Sequence, residues 1–148
     1  AALHSGKVDL GQFAIHNSVG GIVTESIAAM ARYKFEIVEE FAIKIAHALM
    51  IRPDAKFAEI TTIMTHPQVL AQCRFTLTQK YPHLKQTSGE KELIDHALVA
   101  RQLSQKKIPL TVATMGSRVL ADLYGLTVVE DNLQDAKENY TSFLVVKR

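Results

Sequence analysis

The chain has 148 residues, 47% hydrophobic and 22% charged, with seven glycines and four prolines. Those proportions suit one compact domain or two small lobes. They exclude a disordered, collagen-like or linker chain, which could not bury enough apolar surface to offset its conformational entropy.

Seventeen Lys and Arg against fifteen Asp and Glu leave a net charge of +2. The basic residues are scattered, with only Lys106-Lys107 and Lys147-Arg148 adjacent, so no nucleic-acid partner is expected. The longest apolar run, Phe41–Ile51, is broken by Lys44 and His47. It falls short of the roughly 20 residues of a membrane span, and no membrane partner is expected. Cys73 is the one cysteine and cannot close an internal disulfide. With no signal-like opening, the expected compartment is the cytoplasm.

Strand-like and helix-like segments alternate, which predicts an α/β fold. Phe13-Ala14-Ile15 ends a short buried strand, and Asn17-Ser18 with Gly20-Gly21 makes a turn. Ile22 to Tyr33 reads as a helix with Val23, Ile27, Met30 and Ala31 on its apolar face. From Lys34 to Ile51 the alternation suits two paired strands with a bend at Glu39-Glu40. Ile60–Met64 is a buried strand. Pro67 opens a helix that runs to about Lys80, burying Leu70, Cys73, Phe75 and Leu77 before Pro82.

Thr87-Ser88, followed by Glu90 and Glu92, reads as the start of a helix whose apolar face includes Leu93, Ile94, Ala97, Leu98 and Leu103. Leu110–Ala113 is a strand and Gly116–Leu123 a helix stopped by Gly125. Leu126–Val129 and Phe143–Val146 complete the strands.

Polar clusters fall where strands meet helices: His16-Asn17-Ser18, Thr65-His66-Pro67-Gln68, Thr87-Ser88-Gly89 and Asn139-Tyr140-Thr141-Ser142. Hydroxyls and helix-terminal amides at such places suit a small anionic ligand, and the same residues are common caps and turns. His47 lies in an apolar strand and reads as a core histidine. His66 reads as a cap for the helix after Pro67, and Cys73 as a buried helix residue. The histidines and the cysteine show no metal-ligand spacing, so neither a metal nor another cofactor is expected.

Taken in order, Asn17-Ser18-x-x-Gly21, Thr65-His66-Pro67-Gln68-x-Leu70-Ala71-Gln72-Cys73, Tyr124-Gly125-Leu126 and Asp135-x-x-x-Asn139-x-Thr141-x-Phe143 resemble the prephenate dehydratase domain. The resemblance runs from about Leu3 to Val146. It implies a two-lobed, periplasmic-binding-protein-like α/β fold, with residues 1–33 and 110–148 in the first lobe and 34–109 in the second. It also implies a lyase that converts prephenate to phenylpyruvate in phenylalanine biosynthesis, with loss of water and CO2.

By the same resemblance Thr141 is the catalytic residue. Asn17, Ser18, Thr87, Ser88, His16 and Phe143 bind substrate. Thr87-Ser88-Gly89 stands where the family has Ser-Thr-Ala, and His16 where it has glutamate. Ser142 replaces the family's arginine, which removes a forked donor for a carboxylate.

The family's opening strand and Gly-rich turn are not found ahead of Leu3. The expectation is therefore a first lobe without its opening strand–helix units, existing as a homo-oligomer, a swapped dimer or part of a longer chain. Two other functions fit these residues: a prephenate decarboxylase that does not aromatise, and a silent module that binds an aromatic-pathway metabolite.

Overall fold

A computed structural model describes residues 2–90 and 95–148. The chain forms two compact units, Ala1–Ile45 with Glu138–Arg148, and Ala46–Lys137. The crossings therefore fall at 45/46 and 137/138, not at 33/34 and 109/110. The cause is strand pairing: the segments around residues 40 and 140 zip together along their whole length, which keeps both in one unit.

The first unit is a four-stranded antiparallel sheet in the order β2-β1-β9-β3. Its strands are β1 (Leu10–Asn17), β2 (Gly21–Ile22), β3 (Glu36–Lys44) and β9 (Tyr140–Lys147). Helix α1 (Thr24–Arg32) follows β2, with Glu25 in its first turn and Arg32 in its last, each matched to the helix dipole. Strand β9 is central, and its alternation buries Leu144 and Val146. The face of α1 differs from the periodicity reading. Ile27 is exposed, while Ala29, Met30 and Tyr33 line an apolar pocket with Phe13 and Val146. The strand ending at Ile15 is longer than expected and only partly buried.

The second unit carries a five-stranded sheet in the order β6-β5-β7-β4-β8. Its strands are β4 (Ala48–Ile51), β5 (Thr62–Met64), β6 (Lys85–Thr87), β7 (Val112–Gly116) and β8 (Thr127–Glu130). β6, β5 and β7 run parallel, and β4 runs against both β7 and β8. Both faces are covered, as parallel sheets require. On one face Leu49, Ile63, Ala113 and Met115 pack with Val69, Cys73 and Leu77 of the segment after Pro67. On the other, Ala48, Met50 and Val112 pack with α4 (His96–Ser104) and α5 (Val119–Tyr124).

Three segments depart from the sequence reading. Strands β3 and β4 are not paired with each other; they belong to different sheets. The expected bend at Glu39-Glu40 is a register shift between Ile37 and Glu39 inside β3. The helix from Pro67 to Lys80 is two helices, α2 (Pro67–Gln72) and α3 (Arg74–Lys80), with Cys73 at φ −116°, ψ 7° between them. That break changes the phase of the buried face, so Leu77 is buried but Phe75 is 74% exposed.

The helix expected from Thr87-Ser88 starts instead at Asp95, whose carboxylate accepts from the Ala97 amide at 2.8 Å. Thr87 ends β6, and its hydroxyl donates to Ser88 O. Glu92, Leu93 and Ile94 of that reading lie outside the described residues. Gly125 does end α5, in the left-handed conformation at φ 63° that favours glycine.

Candidate functional site

In the first unit, Asn17 and Thr141 are direct cross-strand partners at one end of β1 and β9. The Asn17 amide is fully engaged. Nδ2 donates to Asn139 Oδ1 at 2.7 Å, Thr141 Oγ1 at 3.0 Å and Tyr140 O at 3.2 Å. Oδ1 accepts from the Gly20 and Val19 amides at 2.7 and 3.0 Å, which folds the turn after β1 back onto this side chain. Asn139 is 1% exposed, so the buried end of the network is shielded from water.

The Thr141 hydroxyl only accepts within this network. Its hydrogen is free to point at a ligand.

Ser18 has a different place. Its Oγ donates to Glu138 O at 3.1 Å and accepts from the Tyr140 amide at 2.8 Å, and its own amide donates to Tyr140 O at 2.8 Å. This hydroxyl clamps the turn to the start of β9.

Cross-strand register decides which predicted residues share a face, because side chains alternate across a strand. Thr141 and Phe143 lie on one face of β9, with Asn17 and Ala14 of β1 and Ile43 and Phe41 of β3 as their partners. Phe41 and Phe143 stack with centroids 5.5 Å apart and planes inclined by 14°. The Thr141 hydroxyl therefore stands beside a flat apolar bed. Ser142 falls on the opposite face with its partners His16 and Ala42. His16 is exposed there and does not join Thr141, and an arginine at position 142 would not either.

Thr87 and Ser88 belong to the second unit, at the carboxyl end of β6. Thr87 Oγ1 donates to Ser88 O at 3.1 Å, and Ser88 is exposed. At the same sheet edge, Thr65 Oγ1 donates to Met115 O at 2.6 Å and His66 Nδ1 accepts from the Gln68 amide at 3.1 Å, which caps α2. Thus the expected His66 cap is present.

His47 is buried and in contact with Gln72 Oε1 at 2.7 Å. Burial holds its pKa below the ordinary histidine value, against the opposing effect of that hydrogen bond. Cys73 is fully buried, and desolvation with the nearby Asp135 charge pushes its thiol up to about 12. It is no nucleophile. Asp135 accepts from the Phe75 and Thr76 amides and the Thr76 hydroxyl at 2.7 to 3.0 Å. Burial opposes its ionisation, but these bonds and Lys137 hold its carboxyl below the usual range. It caps α3 from 60 residues away in sequence.

The sequence reading assigned no role to Asn139, Asp135, Gln72, His96 or Gly116. Asn139 and Asp135 stood inside a motif quoted for the resemblance, and a polar residue just ahead of an apolar strand was the signal for Asn139. Nothing local marked His96.

The sequence profile of the prephenate dehydratase family matches residues 1–148. The chain belongs to the prephenate dehydratase family. It is 31% identical to arogenate dehydratase 3, chloroplastic, of Arabidopsis thaliana over 134 residues, 90% of this chain and 30% of that protein. It is 30% identical to arogenate dehydratase/prephenate dehydratase 2, chloroplastic, of the same plant over 141 residues, 95% of this chain and 35% of that one.

Among solved structures, prephenate dehydratase from Arthrobacter aurescens in complex with L-Phe superposes with a TM-score of 0.83 at 28% identity. The match covers 99% of this chain and 48% of that one. GqqA, described as a novel type of quorum quenching acylase, gives 0.78 at 28% identity, with 99% and 50% covered. The chain spans about a third of the length of these curated relatives and half of these solved ones. The mixed α/β fold with two sheets is that of this family. Among the described residues, no helix is long and apolar enough to cross a membrane.

Proposed function

We propose that this chain carries dehydratase chemistry, converting prephenate to phenylpyruvate, with Thr141 as the catalytic hydroxyl. The observation that supports this most is the Thr141 hydroxyl itself. It is fixed through its lone pair by Asn17 and free at its hydrogen, beside the stacked Phe41–Phe143 bed.

In the reaction the bond from the ring to its carboxylate breaks and releases CO2. Its electron pair enters the ring, and the C–O bond of the ring hydroxyl breaks. One proton joins the leaving hydroxyl to make water. Aromatisation supplies the drive, so the protein has only to orient the ring and assist that one departure. Thr141 donates a hydrogen bond to the leaving oxygen, and solvent supplies the net proton. Asn17 is a positioning residue, since its amide has no free donor. Phe143 bears on the ring face.

A second substrate deserves an arm of the test because the curated relatives are named arogenate dehydratases. Arogenate carries an amine where prephenate carries the keto group, and the same two losses turn it into phenylalanine. The assay is product detection from each substrate at equal protein concentration. Phenylpyruvate or phenylalanine formation supports the reading. A ring product that keeps its hydroxyl selects the decarboxylase, and binding without turnover selects the silent module.

Two features support a homo-oligomer. The outer edge of β3 is unpaired among the described residues, and Ile37, Val38 and Ile43 are exposed there. The reduced, buried Cys73 fits a cytoplasmic setting.

A further inference from the structure

The second unit gathers three imidazoles at one end of its sheet. His66 follows the carboxyl end of β5. His96 opens α4 and lies across the carboxyl end of β7. A Cβ on Gly116 would come within 2.7 Å of its Cδ2 and 3.5 Å of its Nε2, so only glycine leaves room for that ring edge. The His66 and His96 rings are 6.3 Å apart and meet edge to face at 81°. His47 immediately precedes β4, whose first residue, Ala48, pairs with Gly116.

The polar accounting at this edge is incomplete. His66 Nδ1 accepts from the Gln68 amide, which places its ring proton on Nε2, an atom with no partner among the described residues. His47 is 8% exposed; its Nε2 meets Gln72, and its Nδ1 is buried without a partner. His96 Nδ1 likewise has no partner among the described residues, with Asp95 Oδ1 4.0 Å away. Burial lowers the pKa of His96, Asp95 opposes this, and the His47 and His66 charges add to the lowering. Among the described residues, Asp95, His47 and His66 are the titratable groups acting on His96, and Gly116 of β7, against which its ring edge packs, is uncharged. Asp95 is engaged in capping α4. Unpartnered buried nitrogens in a native fold call for an explanation.

We propose that His66 and His96 form a carboxylate seat, in which His66 Nε2–H and a protonated His96 hold one carboxylate of a small keto acid. The ligand loses and gains no covalent bond. One proton passes from solvent to His96 as the carboxylate binds, and Asp95 faces the far side of the resulting imidazolium. The seat lies within the second unit alone, goes beyond the dehydratase reading, and is tested by binding.

The probe is phenylpyruvate, titrated calorimetrically at pH 6 and pH 8 in buffers of different ionisation enthalpy. Binding should be about tenfold tighter at pH 6, the difference between a charge-assisted and a neutral hydrogen bond, with close to one proton taken up. His96→Gln should abolish the pH dependence and the proton uptake. His47→Gln should keep both and move the pH profile upward, because a charge that opposes His96 protonation is gone. Ring NMR of the wild-type chain gives a second measure that needs no variant: phenylpyruvate should raise the pH at which His96 titrates.

Phenylpyruvate binding that is equal at both pH values, or an unmoved His96 titration, would overturn the seat. Turnover of prephenate alongside that result would leave the dehydratase reading standing. Proton-linked binding without turnover would do the reverse.

Discussion

Replacing Thr141 by alanine separates chemistry from folding, because the structure says how little the fold needs that hydroxyl. Asn17 Nδ2 carries two hydrogens and has three acceptors, on Asn139, Thr141 and Tyr140. Removing Thr141 Oγ1 leaves two acceptors for two hydrogens, so no buried donor is orphaned. The stability cost should stay below about 1 kcal/mol, the net value of one ordinary hydrogen bond. The lost methyl faces a half-buried surface and adds little.

The expected cost to catalysis is far larger. A side chain that assists proton transfer to a leaving group contributes about a hundredfold or more, which is about 2.7 kcal/mol of transition-state stabilisation. Thr141→Ala should therefore lower kcat for phenylpyruvate formation about a hundredfold, with KM little changed. Its melting temperature should stay within about 5 °C of the parent. Thr141→Ser retains the hydroxyl and should recover much of the rate. Parental turnover in a folded alanine variant would refute the assignment. A large loss of stability would refute the accounting of the Asn17 network.

Asp135→Ala removes the carboxylate from the amino end of α3 and should cost about 1–2 kcal/mol in a denaturation experiment, the usual value of a helix cap. The Asp135 carboxyl is held below its ordinary value of 3.8, so its contribution is present above that pH and is lost as pH falls through the lower folded value. His47 acts in a higher window. Its folded pKa lies below 6.5, so the unfolded chain takes up the proton first and stability should fall as pH drops below about 6.5. His47→Gln should flatten that part of the curve, as read by thermal melts from pH 5 to 8. Cys73 should react with a thiol reagent only after denaturant is added, because burial keeps it protonated; rapid labelling of the native chain would contradict the packing between α2 and α3.

Alternation and caps made much of the second unit legible. The β5 and β7 strands, Pro67 at the start of α2 and Gly125 at the end of α5 each rest on a local cue, and each was found within a few residues. The failures were non-local. No pattern in residues 34–51 could show that β3 pairs with a strand a hundred residues onward. Nor could residues 67–80 announce that Asp135 would cap a second helix and turn Phe75 outward. Of the candidate site, Asn17 and Thr141 were found through motif resemblance, and they meet. His16 was grouped with Asn17 through the same resemblance, as the position before the Asn-Ser pair, whereas adjacency in a strand places side chains on opposite faces.

One irregular residue decides what that site contains. Ala14 pairs with Phe143, and strict alternation would carry that face from Ala14 to His16. The register shift between Ala14 and His16 takes Ile15 out of the ladder, so His16 pairs with Ser142 and Asn17 with Thr141. An uninterrupted β1 would have set an imidazole against the Thr141 hydroxyl and turned the Asn17 amide to the other side. It would also have broken the bonds by which that amide holds both the turn at Gly20 and the buried Asn139. The bulge thus sets an amide rather than an imidazole beside Thr141, which fixes Thr141 as an acceptor from the fold and leaves its hydrogen for the ligand. A hydroxyl oriented in this way needs no base beside it, which fits a reaction that asks the protein only to support a departing oxygen.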